Sequence, residues 1–173
     1  VRAYVEAGAE VIGMDIDDET GNSVCSEAEG PGSAQYMHAD VSDLESIQTA
    51  FGEAVGVLGG LDVLANPAGI HRAAVTGEIT VEDWDLVFAV NVRGTMITNQ
   101  EAHPYLRESG GGSIINFGSI SGQRAEAKAA AYSATKGAVH AWTRSAAGAW
   151  GQDNIRVNAI LPAMHTPMSR TAG

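Results

Sequence analysis

Residues 113–136, SIINFGSISGQRAEAKAAAYSATK, decide how the chain is read. Ser113 to Phe117 is a short apolar run of strand type, and helix-forming residues resume at Ala129 after a polar, glycine-containing loop. A buried strand that hands its chain to a helix through such a loop is half of a β–α unit. Within the helix Tyr132 and Lys136 are i and i+4 neighbours on one face, and Ser119 lies just beyond the strand. An ammonium one turn from a phenol favours the phenolate, so Tyr132 is expected to titrate below the ordinary value of about 10. A tyrosine tuned that way serves as general acid or base near neutral pH, with Ser119 offering a hydroxyl to the same reacting oxygen.

The same alternation extends in both directions. The helix from Ala129 to Trp150 is followed by a strand from Ile155 to Leu161. Upstream, Thr80 caps a long helix with Glu82 and Asp83 in its first turn; it carries Trp84, Val87, Phe88 and Val92, continues past Gly94 and fades near Arg107. Leu61 to Ala65 is a strand that runs into Asn66-Pro67-Ala68-Gly69. Before it, Ser42-Asp43-Leu44-Glu45 reads as a capping box with Ser42 as the cap. The helix it opens places Leu44, Ile47, Ala50, Phe51, Ala54, Val55 and Leu58 at helical spacing and stops at Gly59-Gly60. Strands are also expected at Ala34 to Val41 and at Val11 to Met14, the latter running into Asp15; a helix or loop lies around Gly21 to Glu29. Val1 to Ala7 reads as a helix ended by Gly8. Short apolar strands alternating with helices imply one α/β domain over residues 1–173. Its parallel sheet is doubly wound and covered on both faces, a three-layer Rossmann-like α/β/α arrangement.

Charge narrows the function. With 21 acidic and 10 basic residues the net charge is −11, which argues against nucleic acid or an anionic membrane as partner. No apolar run is long enough to span a bilayer. The single cysteine, Cys25, excludes an internal disulfide and fits a reducing, cytoplasmic setting. His38, His71, His103, His140 and His165 have no metal-like spacing, so no metal is expected; His71 and His165 fall on loops near the expected site mouth. Trp84, Trp142 and Trp150 suit core or subunit contacts.

In a parallel α/β sheet ligands bind at the carboxyl ends of the strands. Asp15, Asp40, Asn66 to Gly69, Ser119 and Pro162 to Thr166 all fall there. Singly each has a plainer reading: a helix cap, a turn serine, a surface Tyr–Lys pair. Together they carry a resemblance. Asp15, the Asp40-Val41 pair, Asn66-Pro67-Ala68-Gly69, Asn91, Ser119, Tyr132, Lys136 and Pro162 to Met168 stand in the order and spacing of the short-chain dehydrogenase/reductase family, which the whole chain resembles.

That resemblance implies an oxidoreductase acting between a secondary alcohol and a ketone. Tyr132 would exchange the proton, Lys136 would assist it and bind the nicotinamide ribose, and Ser119 would steady the substrate oxygen. Asn91 would hold a water linking Lys136 to solvent. A carboxylate in Asp15's place bonds the adenosine ribose and repels a 2′-phosphate, so NAD is the expected cofactor. Asp40 and Val41 would reach the adenine, Asn66, Ala68 and Gly69 would border the adenosine, and Thr166 would approach the nicotinamide amide. Association into a homodimer or homotetramer through the helices from Thr80 and Ala129 is also implied.

Three departures stand out: no glycine follows Pro162, Gly118 replaces a serine common in the family, and the family's glycine-rich opening turn and closing lid lie outside residues 1–173. The fold is therefore expected to be incomplete at both ends, and the chain alone to bind NAD and to fold weakly. Two other readings stay open. One is an isomerase or lyase that uses NAD transiently, for whose extra substrate domain the loop from Gly69 to Thr80 leaves little room. The other is a catalytically silent NAD-sensing or scaffold protein, against which the intact Asn91, Ser119, Tyr132 and Lys136 argue.

Overall fold

A computed structural model describes residues 1–162. They fall into two compact units that divide after Leu61.

The first unit contains α1 (Arg2–Glu6), β1 (Glu10–Asp15), α2 (Asp18–Ser26), β2 (Ser33–His38) and α3 (Leu44–Leu58). β1 and β2 pair in parallel from Glu10 opposite Ser33 to Asp15 opposite His38. The stretch read as helix or loop is α2, capped by Asp17, whose side chain accepts from the Thr20 N–H. Asp18 and Glu19 in its first turn complement the helix dipole. Gly21 lets α2 lie flat on Tyr36, since a Cβ there would stand 2.1 Å from Tyr36 Cε2.

Two expectations need correction in this unit. β2 ends at His38, not Val41, because the Asp40 carboxylate accepts from both the N–H and the hydroxyl of Ser42 and turns the chain. The cap of α3 is Asp43, not Ser42: its carboxylate accepts from the Glu45 and Ser46 N–H groups. A charged acceptor at the positive end of a helix outcompetes a hydroxyl. Ser46 reaches back to accept from the Asp40 N–H. α3 buries Ile47, Ala50, Phe51 and Ala54, whereas Leu44 in its first turn is exposed.

The second unit holds β3 (Val63–Asn66), α4 (Val81–Phe88), α5 (Thr95–Glu108), β4 (Gly112–Phe117), α6 (Ala130–Trp150) and β5 (Ile155–Ile160). Its sheet is parallel with order β3-β4-β5, Ser113 standing opposite both Val63 and Arg156. Ile114, Ile155, Val157, Val139, Ala102 and Leu106 form its core. Thr80 caps α4 as expected, accepting from the Asp83 N–H. The long helix does run on to Glu108, but Ala89–Gly94 winds as a π turn between α4 and α5. Among the described residues β1 pairs with β2 and β3 with β4, so the strands ending at Asp15 and Asn66 share no neighbour.

Two glycines in helices of the first unit should answer oppositely to alanine. Gly52, with open space around its missing Cβ, should gain about 0.5–1 kcal/mol from Gly52→Ala. Gly21→Ala should lose about 1–3 kcal/mol by overpacking on Tyr36. Urea titrations of the two variants decide it; equal midpoints would refute the packing assigned to Gly21.

Candidate active site

The site is built where α6 lies across the end of β4. Tyr132, Lys136, His140 and Thr143 recur along α6 at intervals of one turn. Three of them bond the strand and the residues that follow it. Thr143 accepts from the Asn116 side-chain amide at 3.1 Å, Lys136 Nζ donates to the Phe117 carbonyl at 2.7 Å, and His140 Nε2 accepts from the Ser119 N–H at 3.3 Å. Lys136 is 4% exposed, and burial pushes its pKa down to about 8.

Tyr132 does not titrate as the sequence suggests. Its pKa is raised because burial disfavours the phenolate; the hydrogen bond to the Ser119 side chain lowers it, but less. The helical spacing does put Lys136 near the tyrosine, with Nζ 5.4 Å from the ring centroid. Yet the ammonium is directed at the Phe117 carbonyl and lies over the ring. In this arrangement burial keeps Tyr132 a neutral phenol, a proton donor in waiting.

Asn91, 1% exposed in the π turn, locks the loop after β3. Its Oδ1 accepts from the Ile70 N–H at 2.8 Å, and its Nδ2 donates to the Ile70 carbonyl at 2.9 Å and to Thr135 Oγ1 at 3.1 Å. Thr135 in turn donates to the Tyr132 carbonyl at 2.7 Å. The Asn91 side-chain amide is thus engaged by Ile70 and Thr135. Gly69 passes so close that an added Cβ would sit 3.2 Å from Asn91 Oδ1 and 3.5 Å from Lys136 Nζ. Ala68 precedes it, half-buried. Asn66 is buried, and its amide donates to Thr98 Oγ1 at 2.8 Å. That side chain ties β3 to α5.

Two more segments frame the tyrosine. His71 meets Tyr132 edge-on, ring centroids 5.1 Å apart, and burial lowers its pKa, so its imidazole is neutral at neutral pH. The loop carrying it is stitched to the approach to α6 by bonds from the Ala74 N–H to the Lys128 carbonyl and from Thr76 Oγ1 to the Ala127 carbonyl.

In the first unit three acids gather at the end of β1. Asp17 is used as the α2 cap, and Asp18 is bonded by Tyr36 and His38. Asp15 Oδ1 accepts from the Ile16 and Asp17 N–H groups, which fixes its exposed carboxylate at the strand end. Asp40 is folded onto Ser42, with Val41 between them. Thr166 lies outside the described residues. Sequence reasoning passed over Thr135 and left His140 among the unassigned histidines. His140 falls two turns beyond Tyr132 on the same face, a periodicity that could have singled it out.

This combination agrees with comparison to known proteins. The family model for short chain dehydrogenases matches residues 1–173, and the chain belongs to that family. It is 37% identical over 166 residues to a probable galactose dehydrogenase of Rhizobium meliloti, covering 95% of this chain and 65% of that protein. It is 38% identical over 170 residues to a 3-alpha-(or 20-beta)-hydroxysteroid dehydrogenase of Mycobacterium tuberculosis, covering 98% and 65% respectively. The crystal structure of a short chain dehydrogenase from Mycobacterium smegmatis superposes with a TM-score of 0.90 at 29% identity, covering 95% of this chain and 70% of that one. The fold is thus Rossmann-like, and the chain spans about 65% of the length of these curated relatives. Members of the family ordinarily use a nicotinamide cofactor.

Burial of Lys136 makes a pH prediction. Its folded pKa, about 8, lies below the ordinary 10.5. Below pH 8 the lysine is charged in both states and the burial cost is fully present. Between pH 8 and 10.5 the folded state releases the proton first, so stability rises. Relative to Lys136→Met, the wild-type protein should therefore gain stability between pH 7.5 and 10 in urea titrations; parallel curves would count against it.

Proposed function

We propose that the protein to which this chain belongs is an NAD-dependent oxidoreductase that interconverts a secondary alcohol and a ketone, with Tyr132 as general acid and base. The observation that carries the reading is the grouping of the Tyr132 and Ser119 hydroxyls around a buried lysine, whose Nζ lies 5.4 Å from the tyrosine ring centroid and bonds the Phe117 carbonyl two residues before Ser119. A carbonyl oxygen placed at these two hydroxyls would receive hydrogen bonds that strengthen as negative charge develops on it. A bound nicotinamide would supply or accept the hydride. Tyr132 gives its proton to the oxygen in reduction and takes it back in oxidation, while Ser119 holds that oxygen in place.

The residues present fit the cofactor. Asp15 presents a carboxylate pinned by two backbone N–H groups, suited to accept from ribose hydroxyls. Asp17 and Asp18 close by would repel a 2′-phosphate, which favours NAD over NADP. Lys136 and Tyr132 would bond the nicotinamide ribose. A Cβ at Gly69 would press on Asn91 Oδ1 at 3.2 Å, so the chain there passes close beside Asn91 and Lys136. Asp40 and Val41 toward the adenine, Ala68 and Gly69 beside the adenosine, and Thr166 at the amide complete the proposed set. Net charge and the lone cysteine support a cytoplasmic protein. Exposed Val81, Trp84 and Leu86 on α4 support assembly into a homodimer or homotetramer.

Turnover of secondary alcohols with NAD tests the reading. Tyr132→Phe should lower kcat by about 10³-fold or more while NAD binding persists; equal turnover in the two proteins would leave a binding role only. Because the resting phenol is held protonated, alcohol oxidation should accelerate as pH rises into the alkaline range, and ketone reduction should not. A flat oxidation profile would contradict the acid–base role. Asp15→Ala should raise KM for NAD and narrow the preference over NADP, read from initial rates with each cofactor.

A further inference from the structure

The N–H of Ser119 has left the sheet. Gly118 is the last residue to bond β5, donating to the Ile160 carbonyl at 2.9 Å. Ser119 is extended, with φ −161° and ψ 151°, and its side chain and carbonyl serve the turn that follows: Oγ accepts from the Ser121 N–H and the carbonyl from the Gly122 N–H. Its own N–H needs an acceptor elsewhere, since a half-buried orphan donor is costly. That acceptor is His140 Nε2 at 3.3 Å.

The chain is shaped to seat this ring. His140 is 8% exposed. A Cβ at Gly118 would stand 2.3 Å from His140 Nε2 and 2.7 Å from Cδ2, and one at Gly122 would stand 3.0 Å from Cε1. Gly118 thus opens the space that the imidazole fills, and Gly122, whose Cβ would meet the backbone of Gly137 and Lys136 at 2.7 and 2.8 Å, lets the turn lie against α6 beside the ring. To accept at Nε2 the ring must be neutral with its proton on Nδ1. Burial, then the charges of Arg144 and Lys136 on the same helix, favour that neutral form.

We propose that His140 is a positioning residue for Ser119: its imidazole, seated against Gly118, holds the Ser119 backbone and so fixes where the Ser119 hydroxyl stands relative to Tyr132. The inference rests on the assignment of Ser119 and Tyr132 to the reaction. His140 itself does not touch the reacting atoms. Lys136 and His140, one turn apart, fix two nearby points of one strand end, the Phe117 carbonyl and the Ser119 N–H. The hydroxyl that matters lies beside the second point.

The test compares His140→Leu and His140→Gln in the full-length protein with Tyr132→Phe as reference. Leucine fills space without accepting, so kcat should fall about 10- to 100-fold with KM for NAD within about twofold. Glutamine can present an oxygen near the position of Nε2 and should restore most of the lost kcat. Gly118→Ala should be as harmful as His140→Leu in the wild-type background and add little to His140→Ala, which vacates the space. Amide exchange at Ser119, followed by NMR, gives a readout independent of turnover and should quicken in His140→Leu. Unchanged kcat and unchanged exchange in His140→Leu, with Tyr132→Phe inactive, would overturn the proposal and leave the reaction assigned above intact. A Tyr132→Phe protein with full turnover would instead overturn that assignment, whatever the exchange shows at Ser119. Should His140→Leu fail to fold, the non-additivity of Gly118→Ala with His140→Ala still decides whether ring and glycine share one space.

Discussion

Burying one lysine is the constraint on which the second unit depends. An ammonium removed from water must find acceptors, and Lys136 finds the Phe117 carbonyl at the end of β4. This single bond sets the height of α6 against the sheet. From that height the rest follows by helical repeat: Tyr132 one turn toward the amino end, His140 and Thr143 toward the other, each meeting the partner that the register allows. Gly69 borders the same nitrogen. A polar row at this depth specifies one docking of helix on strand, where an apolar row would tolerate sliding.

Much of this was legible in the residues, and the boundary is physical. The alternation of strands and helices was readable because hydrophobic period is a property of neighbours in sequence. Thr80 was readable as a cap for the same reason. Ser42 was misread because the competing acceptor, Asp43, stands next to it and the choice between them is electrostatic. Partners far along the chain left no local trace. The amide of Asn91 bonds Ile70 and Thr135, and that of Asn66 bonds Thr98, pairings that no neighbour in the sequence announces. The titration of Tyr132 was missed for a related reason. Spacing places Lys136 near the ring, but only the fold decides that the ammonium is aimed at a carbonyl and that burial governs the phenol.

The first unit shows the same economy among its acids. Three carboxylates within four residues, Asp15, Asp17 and Asp18, would be hard to tell apart in a sequence, yet each has a different occupation in the fold. Asp17 closes a helix, Asp18 is bonded by a phenol and an imidazole, and Asp15 is braced by the two N–H groups that follow it. Fixing a carboxylate by backbone rather than by a cation keeps its charge available to a ligand.

The π turn has a geometric consequence along the whole length of its helix. Val87, Asn91, Thr95, Thr98, Ala102 and Leu106 are all buried. Each α-helical residue advances about 100°, so a step of four overshoots a full turn by about 40° and a step of three falls short by about 60°. The four long steps and one short step of this row would carry it roughly 100° around an ideal rod, away from the core it faces. One residue absorbed in a wider turn gives back about that angle. The irregularity at Asn91 is therefore also a phase correction, and the straightness of the buried row on either side of the site depends on it.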